Sequence, residues 1–135
     1  MDTNIYCDYA QGCPETVEIL AAHGETLFMP AIVVGELRYG FMKGNRFERN
    51  ERKLRQIIRQ LEIEVIDVNE EVASKYAFIY LALVRKGRKI PINDVWIAAS
   101  CMSVAGTLLT RDRHFGQVEQ IQSIILEGGI SNNLG

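Results

Sequence analysis

Short apolar runs that alternate with amphipathic helical stretches restrict this chain's fold more than any other feature. TLFM at 26–29, EVIDV at 64–68, TLLT at 107–110 and IQSIIL at 121–126 are each short and apolar, which is how strands of a covered parallel sheet read. Between them lie segments of helical period. Pro14 with Glu15 starts one, carrying Val17, Leu20 and Ala21 on its apolar stripe and Gly24 as its stop, because proline presets the first turn and glycine accepts the left-handed exit. Pro30 opens a second, AIVVGELRYGFMKG, in which Val33, Leu37 and Phe41 recur every four residues. A third runs from about Arg46 to Leu61, with Leu54, Ile57, Ile58 and Leu61 making a narrow stripe on a charged segment, the pattern of a surface helix. From Asn69 to Lys86, Val72, Tyr76, Ile79, Tyr80 and Leu83 keep helical spacing behind Asn69 as N-cap. NDVWIAASCMSVA, starting at Asn93, is a further helix. The alternation predicts βαβ units, hence an α/β fold with a short central parallel sheet covered on both faces.

A chain of 135 residues with 47% hydrophobic content suits a single domain over 1–135. The tail GGISNNLG, about 128–135, is expected to be mobile. No apolar run approaches the roughly 18 to 20 residues that span a bilayer, and the start has no leader-like pattern, so no membrane partner and a cytoplasmic location are expected. Cys7, Cys13 and Cys101 form no CxxC pair and are read as free thiols. A net charge of −2 argues against a general nucleic-acid coat. The basic residues are nonetheless clustered, eight of the fifteen falling between Arg38 and Arg59 and four more between Arg85 and Lys89. These are either local surfaces for an acidic partner or solvated helix faces, since Glu48, Glu51 and Glu62 are interleaved with the first cluster.

The acids carry the chemistry. In an open parallel sheet, ligands bind past the carboxyl ends of the strands, and Asp112 stands two residues beyond TLLT. Asp94 opens a helix whose apolar stripe, Ile97, Ala98, Cys101 and Ala105, shares its face. It is either a site residue or a carboxylate favouring the helix dipole, with Asn93 as cap. Glu36 lies at the margin of an apolar face and requires a partner, because a buried lone carboxylate costs several kcal/mol. Arg38 is poorly placed for that, since residues two apart on a helix face away from each other. Asp2, immediately before Thr3 and Asn4, reads on its own as an exposed terminal acid. Gathered in one place, such acids repel and raise one another's pKa unless a hard divalent cation neutralises them. Mg²⁺ or Mn²⁺ takes all-oxygen ligands of this kind, and a water acidified by it can attack a phosphodiester.

The blocks DTN at 2–4, GELRYG at 35–40, NDVWIAA at 93–99 and LLTRDRHF at 108–115, in this order, resemble the PIN-domain nucleases, and among them the VapC-type toxins of toxin–antitoxin pairs. The resemblance implies a three-layer α/β/α PIN-like fold and a Mg²⁺- or Mn²⁺-dependent endoribonuclease. It also implies RNA as substrate, a cognate antitoxin protein as partner, and a homodimer. Asp2, Glu36, Asp94 and Asp112 would be the catalytic and metal-holding acids, with Thr110 and Asn4 in support. Members of that family carry several apolar residues ahead of the DTN block, whereas Met1 alone precedes it here. The alternative expectation is therefore a PIN-fold binding module with impaired or lost catalysis.

Other residues have plainer readings beside the functional ones. Arg111 and Arg113 flank Asp112 and are candidates for a substrate phosphate, or else for structural ion pairs. His114 is expected to cap a turn, with acid or donor chemistry as the alternative. His23 suits a helix C-terminus. Trp96 is expected to pack or to form a subunit contact, with base stacking as the rival reading. Tyr76, Phe78 and Tyr80 belong to a core or subunit-contact helix. The absence of a GxxxxGK[ST] loop lowers the case for an NTPase.

Overall fold

Two pairs of parallel strands frame the protein, described for residues 1–23 and 26–127 by a computed structural model. The chain runs α1 (Thr3–Ala10), α2 (Pro14–His23), β1 (Phe28–Pro30), α3 (Ala31–Lys43), α4 (Phe47–Gln60), β2 (Glu64–Ile66), α5 (Glu70–Arg85), α6 (Ile92–Ser103), β3 (Thr107–Thr110) and β4 (Gln122–Ile125). A 3₁₀ turn over Arg113–Gln117 separates the last two strands. β1 pairs with β2 in the register Phe28 to Glu64, and β3 pairs with β4 in the register Thr107 to Gln122. The expected mobile tail at 128–135 and the Gly24 stop lie outside the described residues.

The two strand pairs are bridged by the first two residues. The Met1 ammonium donates to the carbonyl of Phe28 at 2.8 Å, and the Asp2 N–H donates to the carbonyl of Leu109 at 3.3 Å. Met1–Asp2 thus forms a two-residue rung between β1 and β3, and burial pushes the ammonium below its ordinary pKa. Alongside this rung, β1 and β3 stay apart around a cavity of about 470 Å³ lined by Leu20, Leu27, Phe28, Val104, Leu108 and Ile124. The short parallel sheet expected from the alternation is thus built of two two-stranded ribbons bridged by Met1 and Asp2.

Asp2 also starts a helix absent from the sequence-based reading. Its backbone is extended, and its carboxylate accepts from the Thr3 N–H at 2.7 Å, capping α1. α1 buries Ile5 and Tyr6 and packs on α2, α3 and β3. Its short length matters, because the cap residue is itself one of the candidate site acids.

The other helices follow the predicted pattern. Asn69 caps α5 by accepting from the Val72 N–H at 3.0 Å, and Val72, Ile79 and Leu83 turn inward. α6 is buried almost all round, through Val95, Ile97, Ala98, Ala99 and Cys101. Its stripe stops short of expectation, for the helix ends at Ser103 and Ala105 is exposed with a φ of 50°. α5 packs against α6, and the Trp96 ring stacks on Tyr76 with centroids 3.9 Å apart. The packing reading of Trp96 holds. On α4, Leu54 and Ile57 are buried and Ile58 packs against the core, while most other positions are charged or polar, and Glu51 accepts from Arg38 Nε and Nη2 at 3.1 and 2.9 Å. At Arg38 and Arg55 the basic cluster is thus part of a surface ion-pair network. Among the described residues, no helix is long and apolar enough to cross a membrane.

Candidate functional site

Each of the four acids is delivered by a different element. Asp2 is the N-cap of α1, Glu36 lies in α3, Asp94 in the first turn of α6, and Asp112 in the loop after β3. A chain of hydrogen bonds links three of them. Thr110 Oγ1 donates to Asp2 Oδ2 at 2.6 Å and accepts from the Asp112 N–H at 2.9 Å. Thr3 Oγ1 donates to Glu36 Oε1 at 2.6 Å, and Asn93 Nδ2 donates to Glu36 Oε2 at 3.3 Å. The partner that Glu36 requires is therefore a pair of neutral donors, while Arg38 is engaged by Glu51.

Asp94 is the acid that these bonds leave out. It is 8% exposed, and its Oδ2 is a fully buried oxygen with no hydrogen-bond partner. Burial above all, then the charge of Asp112 and a proton shared with its carboxylate, and last the charges of Asp2 and Glu36, push its pKa up to about 7. Burial also raises Asp2, against the opposing hydrogen bonds from Thr110 and Thr3. A carboxylate that meets its neighbours' charge and lacks a donor is a buried polar atom in need of a ligand. One oxygen each from Asp94 and Asp112 and one nitrogen of His114 lie within 4.8 Å of one another. Hard carboxylate oxygens converging from separate elements suit Mg²⁺ or Mn²⁺, so the donor set fits a divalent cation.

The flanking residues depart from simple expectation. Asn4 is exposed and makes no side-chain hydrogen bond among the described residues; the supporting contact to Glu36 comes from its neighbour Thr3. Arg111 turns away from the acids and pairs with Asp8 of α1, its side chain 12% exposed. It also donates to the Glu127 carbonyl at 3.4 Å. Arg113 is exposed and paired with Glu127 at 2.8 Å. The turn-capping group is the Asp112 carboxylate, which accepts from the His114 N–H at 2.9 Å. His114 supplies the backbone donor of that cap, and its ring faces the acids. Thr3, Asp8 and Asn93 are the contributors that sequence reasoning missed or cast differently. For Asp8 no local pattern signals the contact, since Arg111 lies 103 positions away.

The parallel strand pairs, covered by helices and carrying acids delivered from four separate elements, define an α/β domain with an acidic site. The PIN domain family matches residues 1–121, and the chain belongs to that family. Within it, the chain stands among the VapC proteins. It is 33% identical over 132 residues to Ribonuclease VapC2 of Rickettsia felis, covering 94% of each chain. It is 27% identical to Ribonuclease VapC5 of Mycobacterium tuberculosis, covering 69% of each. Among solved structures, VapBC2 of Rickettsia felis bound to a promoter DNA fragment superposes with a TM-score of 0.84 at 25% identity, covering 93% of this chain and 96% of that one. DNA-bound VapBC of Salmonella typhimurium superposes with a TM-score of 0.81 at 26% identity, covering 92% and 94%. The three-layer α/β/α PIN fold expected from the motif blocks is thereby established.

Proposed function

We propose that this chain is a divalent-metal-dependent endoribonuclease, the toxin of a toxin–antitoxin pair, with Asp2, Glu36, Asp94 and Asp112 as its site acids. The observation that carries the proposal is the buried, unpartnered Oδ2 of Asp94 beside Asp112. Mg²⁺ or Mn²⁺ would be held by Asp94 and Asp112, with Glu36 and Asp2 closing the site. When bound, the cation supplies charge neutralisation for the phosphodiester and acidifies a water. The chain's own residues do the positioning. Thr110 ties Asp2 to the Asp112 loop, and Thr3 and Asn93 hold both oxygens of Glu36. Four elements are thus set against one another before substrate arrives.

The reading as RNA hydrolysis is supported by the kinship with VapC ribonucleases over almost the whole chain. A cognate antitoxin protein as partner is supported by solved neighbours that are VapBC complexes. A homodimer and a cytoplasmic location, where RNA and antitoxin are both at hand, complete the proposal. The alternative module with impaired catalysis presupposes a loose Asp2. Asp2 is instead 5% exposed and bonded by Thr3, Thr110 and the Leu109 carbonyl, which favours the catalytic reading.

The test is cleavage of single-stranded and structured RNA by pure protein with Mg²⁺ or Mn²⁺, with EDTA, and by the Asp94→Asn variant. The substitution should lower the rate about 100-fold or more, and EDTA should abolish cleavage. Cleavage indifferent to both would refute the proposal.

A further inference from the structure

His114 stands closer to the acids than a turn residue needs to. Its backbone N–H donates to Asp112 Oδ1 at 2.9 Å, which fixes the peptide of the 3₁₀ turn beside the site. That bond leaves the ring free to point into solvent. The ring points inward instead: Nδ1 lies 2.9 Å from Asp112 Oδ1 and 3.8 Å from the unpartnered Oδ2 of Asp94. Around an octahedral cation with bonds of about 2.0–2.1 Å, neighbouring ligands sit about 3 Å apart and opposite ones about 4 Å apart. The separations of Nδ1 from the two carboxylates fall at and between those limits. One oxygen of each carboxylate and one nitrogen of His114 lie within 4.8 Å of one another, so the three groups converge on one place.

We propose that His114 is a nitrogen ligand of the metal centre, joining Asp94 and Asp112, and that it biases the centre toward transition-metal dications over Mg²⁺. The proposal rests on the reading of the acids as a cation site. Its consequence is chemical, because imidazole favours first-row transition ions whereas an all-carboxylate site is indifferent or prefers hard ions. The ring is about half exposed, its side chain 49% accessible, so a ligand role does not require the protein to open. The only other histidine, His23, ends α2.

The experiment loads the metal-free full chain with Mn²⁺ and measures nitrogen coupling to the bound ion by electron spin echo modulation, alongside calorimetric affinities for Mn²⁺ and Mg²⁺. The wild type should show a histidine nitrogen signal that is lost in His114→Ala. The substitution should weaken Mn²⁺ roughly tenfold while changing Mg²⁺ by less than about threefold. Circular dichroism melts check that the variant is folded, and the wild-type spectrum decides the matter even without it. Mn²⁺ bound with no nitrogen coupling, or with equal affinity in the variant, overturns the histidine ligand and leaves the acidic site standing. No Mn²⁺ binding by the wild type, or undiminished binding by Asp94→Asn, overturns both.

Discussion

The hydroxyl of Thr110 donates to Asp2 across 108 positions of sequence, at 2.6 Å and with no solvent access. The same oxygen accepts from the Asp112 N–H, so one side chain sets the spacing of two site acids. Thr110→Val keeps the shape and removes both bonds. It should cost about 1–3 kcal/mol in metal-free protein, because a buried carboxylate oxygen is left without its donor. Thr110→Ser should retain most of the stability. Urea unfolding in EDTA checks both variants, and a smaller loss for Val than for Ser would show that the methyl group, rather than the hydroxyl, carries the effect.

The raised pKa of Asp94 makes stability depend on pH with a definite sign. In the unfolded chain its carboxyl titrates near 3.8, and in the native protein at about 7. Between those values the native state holds the extra proton, so metal-free stability is present in full below pH 3.8 and is lost as pH rises through 7. Asp2 shifts in the same direction. Melting temperature in EDTA should therefore fall from pH 5 to pH 8, and Asp94→Asn should flatten the decline. Added Mn²⁺ should stabilise more at pH 8 than at pH 6, since proton and cation compete for the same oxygens. A melting temperature that rises over this range in EDTA, in wild type and variant alike, would contradict the assignment.

The ion pair of Arg111 with Asp8 fastens α1 to the loop that carries Asp112. Both side chains are close to nine-tenths buried, at 12% and 13% exposure. Removing one partner should cost about 3 kcal/mol or more by stranding the other charge, whereas an apolar double replacement should be far milder. Asp8→Asn, Arg111→Met and the double variant Asp8→Leu with Arg111→Met form the series, read by denaturant midpoint. A double variant as unstable as either single one would assign the cost to lost packing instead.

Local rules carried the sequence reading a long way. Asn69 as a cap, Pro30 before α3 and the apolar spacing of α5 are each decided by neighbours within one turn. Three acids stood out through chemistry and position, since Glu36 needed a partner, Asp94 shared a buried face and Asp112 followed a strand, whereas Asp2 rested on the resemblance of the motif blocks. α1 was missed because Asp2 was weighed as a terminal acid and not as an N-cap, although an aspartate before TNIY is a capping signal. Thr3, one residue from the acid it supports, was hidden for another reason. Its hydroxyl serves Glu36, 33 positions away, and such a contact has no sequence period. The Asp8 to Arg111 pair and the gap between the strand ribbons are likewise tertiary facts, settled by how α1 and β3 meet.

That gap makes the last prediction. β1 and β3 face each other across the cavity, with Met1 and Asp2, among the described residues, making backbone bonds to both. Among the described residues no charged side chain lines the cavity, and the bridging ammonium is desolvated. A peptide of three Val or Ile residues fused ahead of Met1 would replace the ammonium by an amide and could continue the rung as a strand between the two ribbons. Each apolar side chain buried contributes about 1.5–3 kcal/mol, offset by about 1–2 kcal/mol of backbone ordering per residue. A net gain of roughly 1–3 kcal/mol corresponds to a rise in melting temperature of about 3–10 °C for a domain of this size. A Ser-Gly-Asp fusion of equal length should give no such rise, because it can bury nothing against Leu27 and Leu108. Equal melting temperatures for the two fusions would show that the cavity does not accept a strand.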